Sequence, residues 1–243
     1  MEKNRIVVGN LKMNMMYDDI KSYIGSLKKE VSSENVVICP TSIYLPYFLG
    51  NNYSLGVQNT SVASEGAYTG ELSPKQAYSM GVKYSIIGHS ERRIHFKEDD
   101  SLINKKIIEA IKNKLTVILC IGESQSERIM RKTEQIIKRQ IINDLQNLDA
   151  DMFDNVIIAY EPVWAIGSNI TPTNQDIIGT TKYIKGAVES LYNHPNIKVI
   201  YGGSVNEKNI KELNKIEEID GFLVGGASLD INKLTKIINV VIE

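Results

Sequence analysis

Glu161 is the residue of this chain best placed for acid–base chemistry. The run before it, residues 155–160, reads Asn-Val-Ile-Ile-Ala-Tyr and has the length and β-branching of a fully buried strand. Glu161 falls where that strand ends, and Pro162 excludes the α region for it, so the acid is held extended. An apolar loop follows, carrying the only Trp of the chain, Trp164, and tipped by Gly167-Ser168-Asn169. A carboxylate at a strand end followed by an apolar flap describes a base that can be shut away from water. The other reading is a strand cap with a hydrophobic loop packed on its neighbour.

Four more apolar runs end in groups that could work with such a base. The first ends at Asn10 and Lys12, two residues apart and so expected on one face. The fourth ends Gly88-His89-Ser90-Glu91-Arg92-Arg93. His89 suits the role of a lone electrophile, with Gly88 giving backbone room and a helix start beyond it. A metal role fits poorly: His89 and His95 are six apart and no Cys or Asp nearby completes a set, while His194 belongs to a surface turn. A triad through Ser90 lacks the G-x-S-x-G elbow. The last two runs end Tyr201-Gly202-Gly203-Ser204-Val205 and Val224-Gly225-Gly226-Ala227-Ser228. Without Cβ atoms these glycines let backbone N–H groups approach an anion, with a helix start to follow. Tight turns are the plainer use, but adjacent final strands are where phosphate-binding loops recur in barrels. No G-x-x-x-x-G-K-[ST] is present.

The elements that must position these residues repeat regularly. Apolar runs begin at Ile6, Val36, Ser54, Tyr84, Thr116, Val156, Lys198 and Gly221. Helix-period segments lie between them at 18–31, 73–80, 99–112, 127–148, 173–191, 206–214 and 230–241, with only a weak helix over 44–50. Thr173 reads as the N-cap of its helix, with Asp176 in the first turn. Eight strands with intervening helices in 243 residues fit a (β/α)8 barrel, eight parallel strands ringed by helices, as one domain over 1–243. A doubly wound open sheet is the runner-up, but the first βα turn, Gly9-Asn10-Leu11-Lys12-Met13-Asn14, has no G-x-G-x-x-G.

Composition narrows the class of partner. A net charge of −1 gives no reason to expect nucleic acid or an anionic membrane, and no apolar run approaches spanning length. Cys39 and Cys120 each close an apolar run and read as buried free thiols. The N-terminus leads straight into a strand without a secretory pattern, so a cytoplasmic location is expected.

Taken together, these segments resemble the triosephosphate isomerase family over essentially the whole chain. The resemblance is carried by residues 9–14, Gln58-Asn59, Gly66-Ala67-Tyr68-Thr69-Gly70-Glu71, Gly88 to Arg93, Cys120-Ile121-Gly122-Glu123, residues 159–167, 201–205 and 221–229, in order and at matching spacing. It implies a TIM barrel that interconverts dihydroxyacetone phosphate and glyceraldehyde 3-phosphate through an enediolate, with no cofactor and no metal. It assigns Glu161 as the base and His89 as a neutral imidazole polarising the carbonyl, its pKa lowered by a helix N-terminus. This family is a standard example of that arrangement. Lys12 would hold positive charge against enediolate and phosphate, Asn10 would orient a substrate oxygen, and Glu91 would position Lys12. Gly167, Ser204, Gly225 and Gly226 would offer N–H groups to the phosphate, and closure of 162–172 would exclude water. The loop opened by Asn59 and closed by Glu71 resembles an inter-subunit finger that docks near Met13 and Lys12 of a second copy, implying a homodimer.

Some residues depart from the family pattern. Leu11 stands in place of a Trp and should point away from the site; Lys97 stands in place of a Gly after Phe96. Asn169 and Pro172 alter the flap, and a hinge stiffened by Pro172 would slow product release more than chemistry. Unchanged opening rates in Pro172→Ala would contradict that expectation. Two other readings remain. A different phosphosugar barrel, of the ribulose or anthranilate kind, would share the last two loops but not His89-Ser90-Glu91 or Glu161-Pro162. A binding protein that had lost catalysis would not need Asn10, Lys12, His89, Glu91 and Glu161 together.

Overall fold

The computed structural model describes residues 4–166 and 172–242. Its strands are β1 (Ile6–Asn10), β2 (Val36–Cys39), β3 (Ser54–Val57), β4 (Tyr84–Ile87), β5 (Thr116–Ile121), β6 (Val156–Tyr160), β7 (Lys198–Tyr201) and β8 (Gly221–Val224). They pair in parallel in chain order and close, β8 onto β1, into a barrel. Each begins at the residue where its apolar run begins. The helices are α1 (Tyr17–Glu30), α2 (Pro74–Ser79), α3 (Ser90–His95), α4 (Asp100–Lys112), α5 (Gln125–Ile129), α6 (Thr133–Asp144), α7 (Asn174–Tyr192), α8 (Ile210–Leu213) and α9 (Ile231–Ile242). Among the described residues no helix is long and apolar enough to cross a membrane.

Side-chain alternation divides the core in two. Ile6, Val8, Val37, Cys39, Ile86, Ile118, Cys120, Ile157, Ala159, Ile200 and Leu223 form one buried cluster, which fills the barrel interior. Their alternates, including Val7, Ile38, Ile87, Leu119, Ile158, Val199 and Phe222, belong to a second cluster shared with the helices. Leu11 joins that outer cluster, pointing away from the barrel mouth as expected. Strands buried on both faces read as continuous apolar runs, so their starts were plain in the sequence.

The helices depart from expectation in three places. The continuous segment 127–148 is two helices, because Ser124 and Glu127 form a capping box that starts α5, and Arg131 takes a left-handed φ of 56° that breaks the run. The segment 206–214 is helical only over α8. The side chains of Asn206 and Asn209 bond the turn before it, Asn206 Oδ1 accepting from Lys208 N and Asn209 Oδ1 from Asn206 N, both at 2.9 Å. In the segment 44–50, Pro46 sits inside a 310 turn, Ser42–Phe48. Thr173 caps α7 with Asp176 in a capping box, as expected.

Lys97 is exposed and takes a φ of 56°, a left-handed conformation that costs a residue with a Cβ. Lys97→Gly is therefore expected to stabilise the fold by about 0.5–1 kcal/mol net, relief of about 1–2 kcal/mol of strain being offset in part by the entropy that glycine loses on folding. Urea unfolding checks it, and an unchanged or lower midpoint contradicts the strain.

Candidate active site

Strand alternation aims the site. Ile157 and Ala159 of β6 point inward, and continuing the pattern one residue past the strand turns Glu161 into the barrel mouth, where it is 2% exposed. Its backbone is seated on β5, Glu161 N donating to Ile121 O at 2.8 Å. Gly202, next inward after Ile200, leaves room for the side chain: a Cβ there would lie 3.1 Å from Glu161 Cγ. Oε1 of the carboxylate is 3.1 Å from His89 Nε2, and Oε2 accepts the Ser90 N–H at 3.0 Å. Burial pushes the Glu161 pKa up, but the charge and hydrogen bond of His89, the Ser90 N–H and the charge of Lys12 outweigh it, and the carboxyl titrates below its usual range.

His89 is the N-cap of α3, and its Nδ1 accepts the Glu91 N–H at 3.3 Å. Nδ1 therefore keeps its lone pair, and the neutral ring is the tautomer that donates from Nε2. The expectation of a lowered His89 pKa meets an opposing influence here. Burial does lower it, yet the charge and hydrogen bond of Glu161, with Glu91 behind, raise it further, and the balance is upward. The upward pull belongs mainly to Glu161. In Glu161→Gln that pull disappears while burial and Lys12 still disfavour the cation, so the His89 pKa should fall. Ring-nitrogen NMR titration reads this directly; an unchanged value would mean the two side chains do not interact.

Asn10 and Lys12 do meet the mouth, although not as alternate residues of one strand. β1 ends at Asn10, and Lys12 takes a left-handed φ of 52°. Several bonds hold that strained residue: Lys12 N donates to Asn10 Oδ1 (3.0 Å), and Lys12 O accepts from Thr41 Oγ1 (3.0 Å) and Gln58 Nε2 (2.8 Å). Its ammonium pairs with Glu91 Oε1 at 2.6 Å. The side chain passes over Gly225, where a Cβ would sit 3.3 Å from Lys12 Cε.

Asn10, Lys12, His89, Glu91, Glu161, Ser204, Gly225 and Gly226 all line one cavity of about 640 Å3 at the carboxyl ends of the strands. Gly167 and Asn169 lie outside the described residues. Pro172 is buried directly ahead of the Thr173 cap. Helix starts do not follow the glycine loops directly. Gly225 leads into a short 310 turn, Gly226–Leu229, and α8 begins only at Ile210, so exposed backbone N–H groups, not a helix dipole, are what these loops can offer an anion.

Sequence reading missed several contributors. Ser90 enters through its backbone N–H, not its hydroxyl, and a backbone group leaves no mark in a side-chain pattern. Thr41 and Gln58 reach Lys12 across 29 and 46 residues of chain. Gly122 was legible only as a glycine; its Cα abuts the Glu161 carbonyl so closely that a Cβ would lie 1.7 Å from the oxygen. Chemically, the mouth offers a buried carboxylate, an imidazole donor and an ammonium around a space bordered by glycine backbone. That set can take a proton from carbon next to a carbonyl and stabilise the resulting oxyanion.

A family model described as Triosephosphate isomerase matches residues 5–241. Among curated relatives, the triosephosphate isomerase of Clostridium botulinum (strain Loch Maree / Type A3) is 41% identical over 98% of this chain and 99% of its own. That of Alkaliphilus oremlandii (strain OhILAs) is 40% identical over 96% and 98%. That of Finegoldia magna (strain ATCC 29328 / DSM 20472 / WAL 2508) is 39% identical over 96% and 97%.

Proposed function

The chain belongs to the triosephosphate isomerase family, and from that premise we propose how its own residues carry the reaction. It is an isomerase that interconverts dihydroxyacetone phosphate and D-glyceraldehyde 3-phosphate, a step of glycolysis. Glu161 removes the proton from the carbon beside the substrate carbonyl and returns it to the adjacent carbon. His89 donates its Nε2–H to the oxygen that becomes negative. Lys12 supplies a positive charge near that oxygen and the phosphate, Asn10 orients a substrate oxygen, and Glu91 holds Lys12 in place. Backbone N–H groups of Ser204, Gly225, Gly226 and Gly167 receive the phosphate.

The observation that carries this reading is the convergence of Glu161, His89 and Lys12 on one mouth, the first two in contact at 3.1 Å. Charge coupling between them serves the cycle. When Glu161 takes the substrate proton its negative charge vanishes, and the main influence raising the His89 pKa goes with it. Burial and Lys12 then favour the neutral imidazole at the moment it must donate, against the smaller opposing charge of Glu91. The test is turnover of glyceraldehyde 3-phosphate by the purified protein in a coupled assay; a folded protein without turnover would overturn the reading.

A homodimer is part of the proposal. Met13 is 90% exposed beside Lys12, and Ile43, Tyr68, Ile94 and Phe96 are exposed as well, apolar side chains that burial against a second copy would remove from water. The loop 59–71 is anchored at its start, where Lys106 Nζ donates to Asn59 Oδ1 at 3.0 Å, and presents Tyr68 outward. Sedimentation should give twice the 27.2 kDa chain mass. A fully active species of single-chain mass would contradict the dimer.

A further inference from the structure

We propose that Gln140 is a positioning residue for Glu161, acting through Gly122; this rests on reading Glu161 as the base. Gln140 lies on α6, outside the barrel, and is 4% exposed among Ile136, Ile137 and Ile141. Both ends of its amide are spent on a single residue. Gly122 N donates to Gln140 Oε1 at 3.0 Å, and Gln140 Nε2 donates to Gly122 O at 3.3 Å. Burying a flexible polar side chain costs side-chain entropy and desolvation, so packing alone would favour an apolar residue there.

What the amide holds is the seat of the base. Ile121 O accepts from Glu161 N (2.8 Å) and Glu123 O accepts from Val163 N (3.1 Å), so residues 121–123 grip the backbone on both sides of Glu161. Gly122, between those two anchors, has its Cα pressed against the Glu161 carbonyl, where even a methyl group would collide. A shift of the Gly122 peptide must therefore move Glu161. Gln140 pins that peptide from the helical shell, by the N–H and the C=O at once. The helix thereby sets the height of the carboxylate in the mouth. Most of the groups proposed for the phosphate end, Ser204, Gly225, Gly226 and Lys12, follow β7, β8 and β1 instead.

The consequence is a selective loss of kcat. Gln140→Met keeps length and apolar packing but removes both bonds. Gln140→Glu keeps an acceptor for the Gly122 N–H. Asn214→Leu is the control: Asn214 also uses both ends of its amide, accepting from Arg5 and donating to Val240 O at 2.7 Å, but lies away from the mouth. Measured kcat, KM and melting temperature should show Gln140→Met losing about tenfold to a hundredfold in kcat with KM within about twofold. Gln140→Glu should fall between it and wild type. Asn214→Leu should lose melting temperature and keep its kcat. Wild-type kcat in the Gln140 variants, or a kcat loss in Asn214→Leu that tracks its melting temperature, would overturn the inference. Should the Met variant not fold, wild-type kcat in Gln140→Glu overturns it alone. An inactive wild type would instead strike at the role of Glu161 itself, so the two failures are distinct.

Discussion

Glu161→Gln is expected to lower kcat by about 10³–10⁴-fold while KM changes little. A positioned general base contributes about 10²–10⁴-fold, and this reaction asks one group both to take and to return the proton. The amide is isosteric, so it can still accept the Ser90 N–H that Glu161 Oε2 accepts at 3.0 Å, and the mouth should keep its shape. It cannot take a proton from carbon. On the proposed mechanism most of the phosphate-binding groups follow other strands than β6, so the loss should fall on the chemical step. Steady-state kinetics in the direction from glyceraldehyde 3-phosphate measure both constants. A loss shared equally between kcat and KM would point to collapse of the site and away from removal of a base.

Lys12→Met should damage both constants. Lys12 is the one Lys or Arg among the described residues lining the mouth, so it carries the positive charge that a dianionic phosphate and an enediolate would meet there. A charged hydrogen bond of this kind contributes about 1.5–3 kcal/mol to binding. A preorganised charge at a developing oxyanion contributes about 3–4 kcal/mol to the barrier. The combined loss in kcat/KM is about 10³–10⁵-fold, with KM raised as well as kcat lowered. Methionine retains the apolar stem that crosses Gly225, so packing survives. The substitution also leaves the Glu91 carboxylate in the mouth without its cation, which adds to the loss. A variant with KM unchanged would show that the phosphate does not depend on this charge.

The sequence was most legible where a residue's own surroundings decide its structure. All eight strand starts followed from apolar runs, because a parallel barrel strand is buried on both faces and has no polar alternation to blur it. Glu161, His89 and the two glycine loops were legible for a related reason: each follows such a run directly. Lys12 is the counter-example. Alternation would place it on the same face as Asn10, but the chain turns left-handed there under restraint from Thr41 and Gln58, both remote in sequence. The direction of the His89 pKa also depended on tertiary contact. The helix start at Ser90 could be read locally, whereas the Glu161 carboxylate arrives from 72 residues away and reverses the balance. Gln140 looked like one more polar residue on a mixed helix; only the fold brings its amide to Gly122.

The central claim, that one buried carboxylate moves a proton between neighbouring carbons, is tested most directly by running the reaction in D2O and following the product by NMR. In wild-type enzyme the carbon that receives the returned proton should carry hydrogen transferred from the substrate in competition with solvent deuterium that enters by exchange on the Glu161 carboxyl, and Glu161→Gln should lose isomerisation and exchange together. Isomerisation or exchange that persists at the wild-type rate in Glu161→Gln would contradict it.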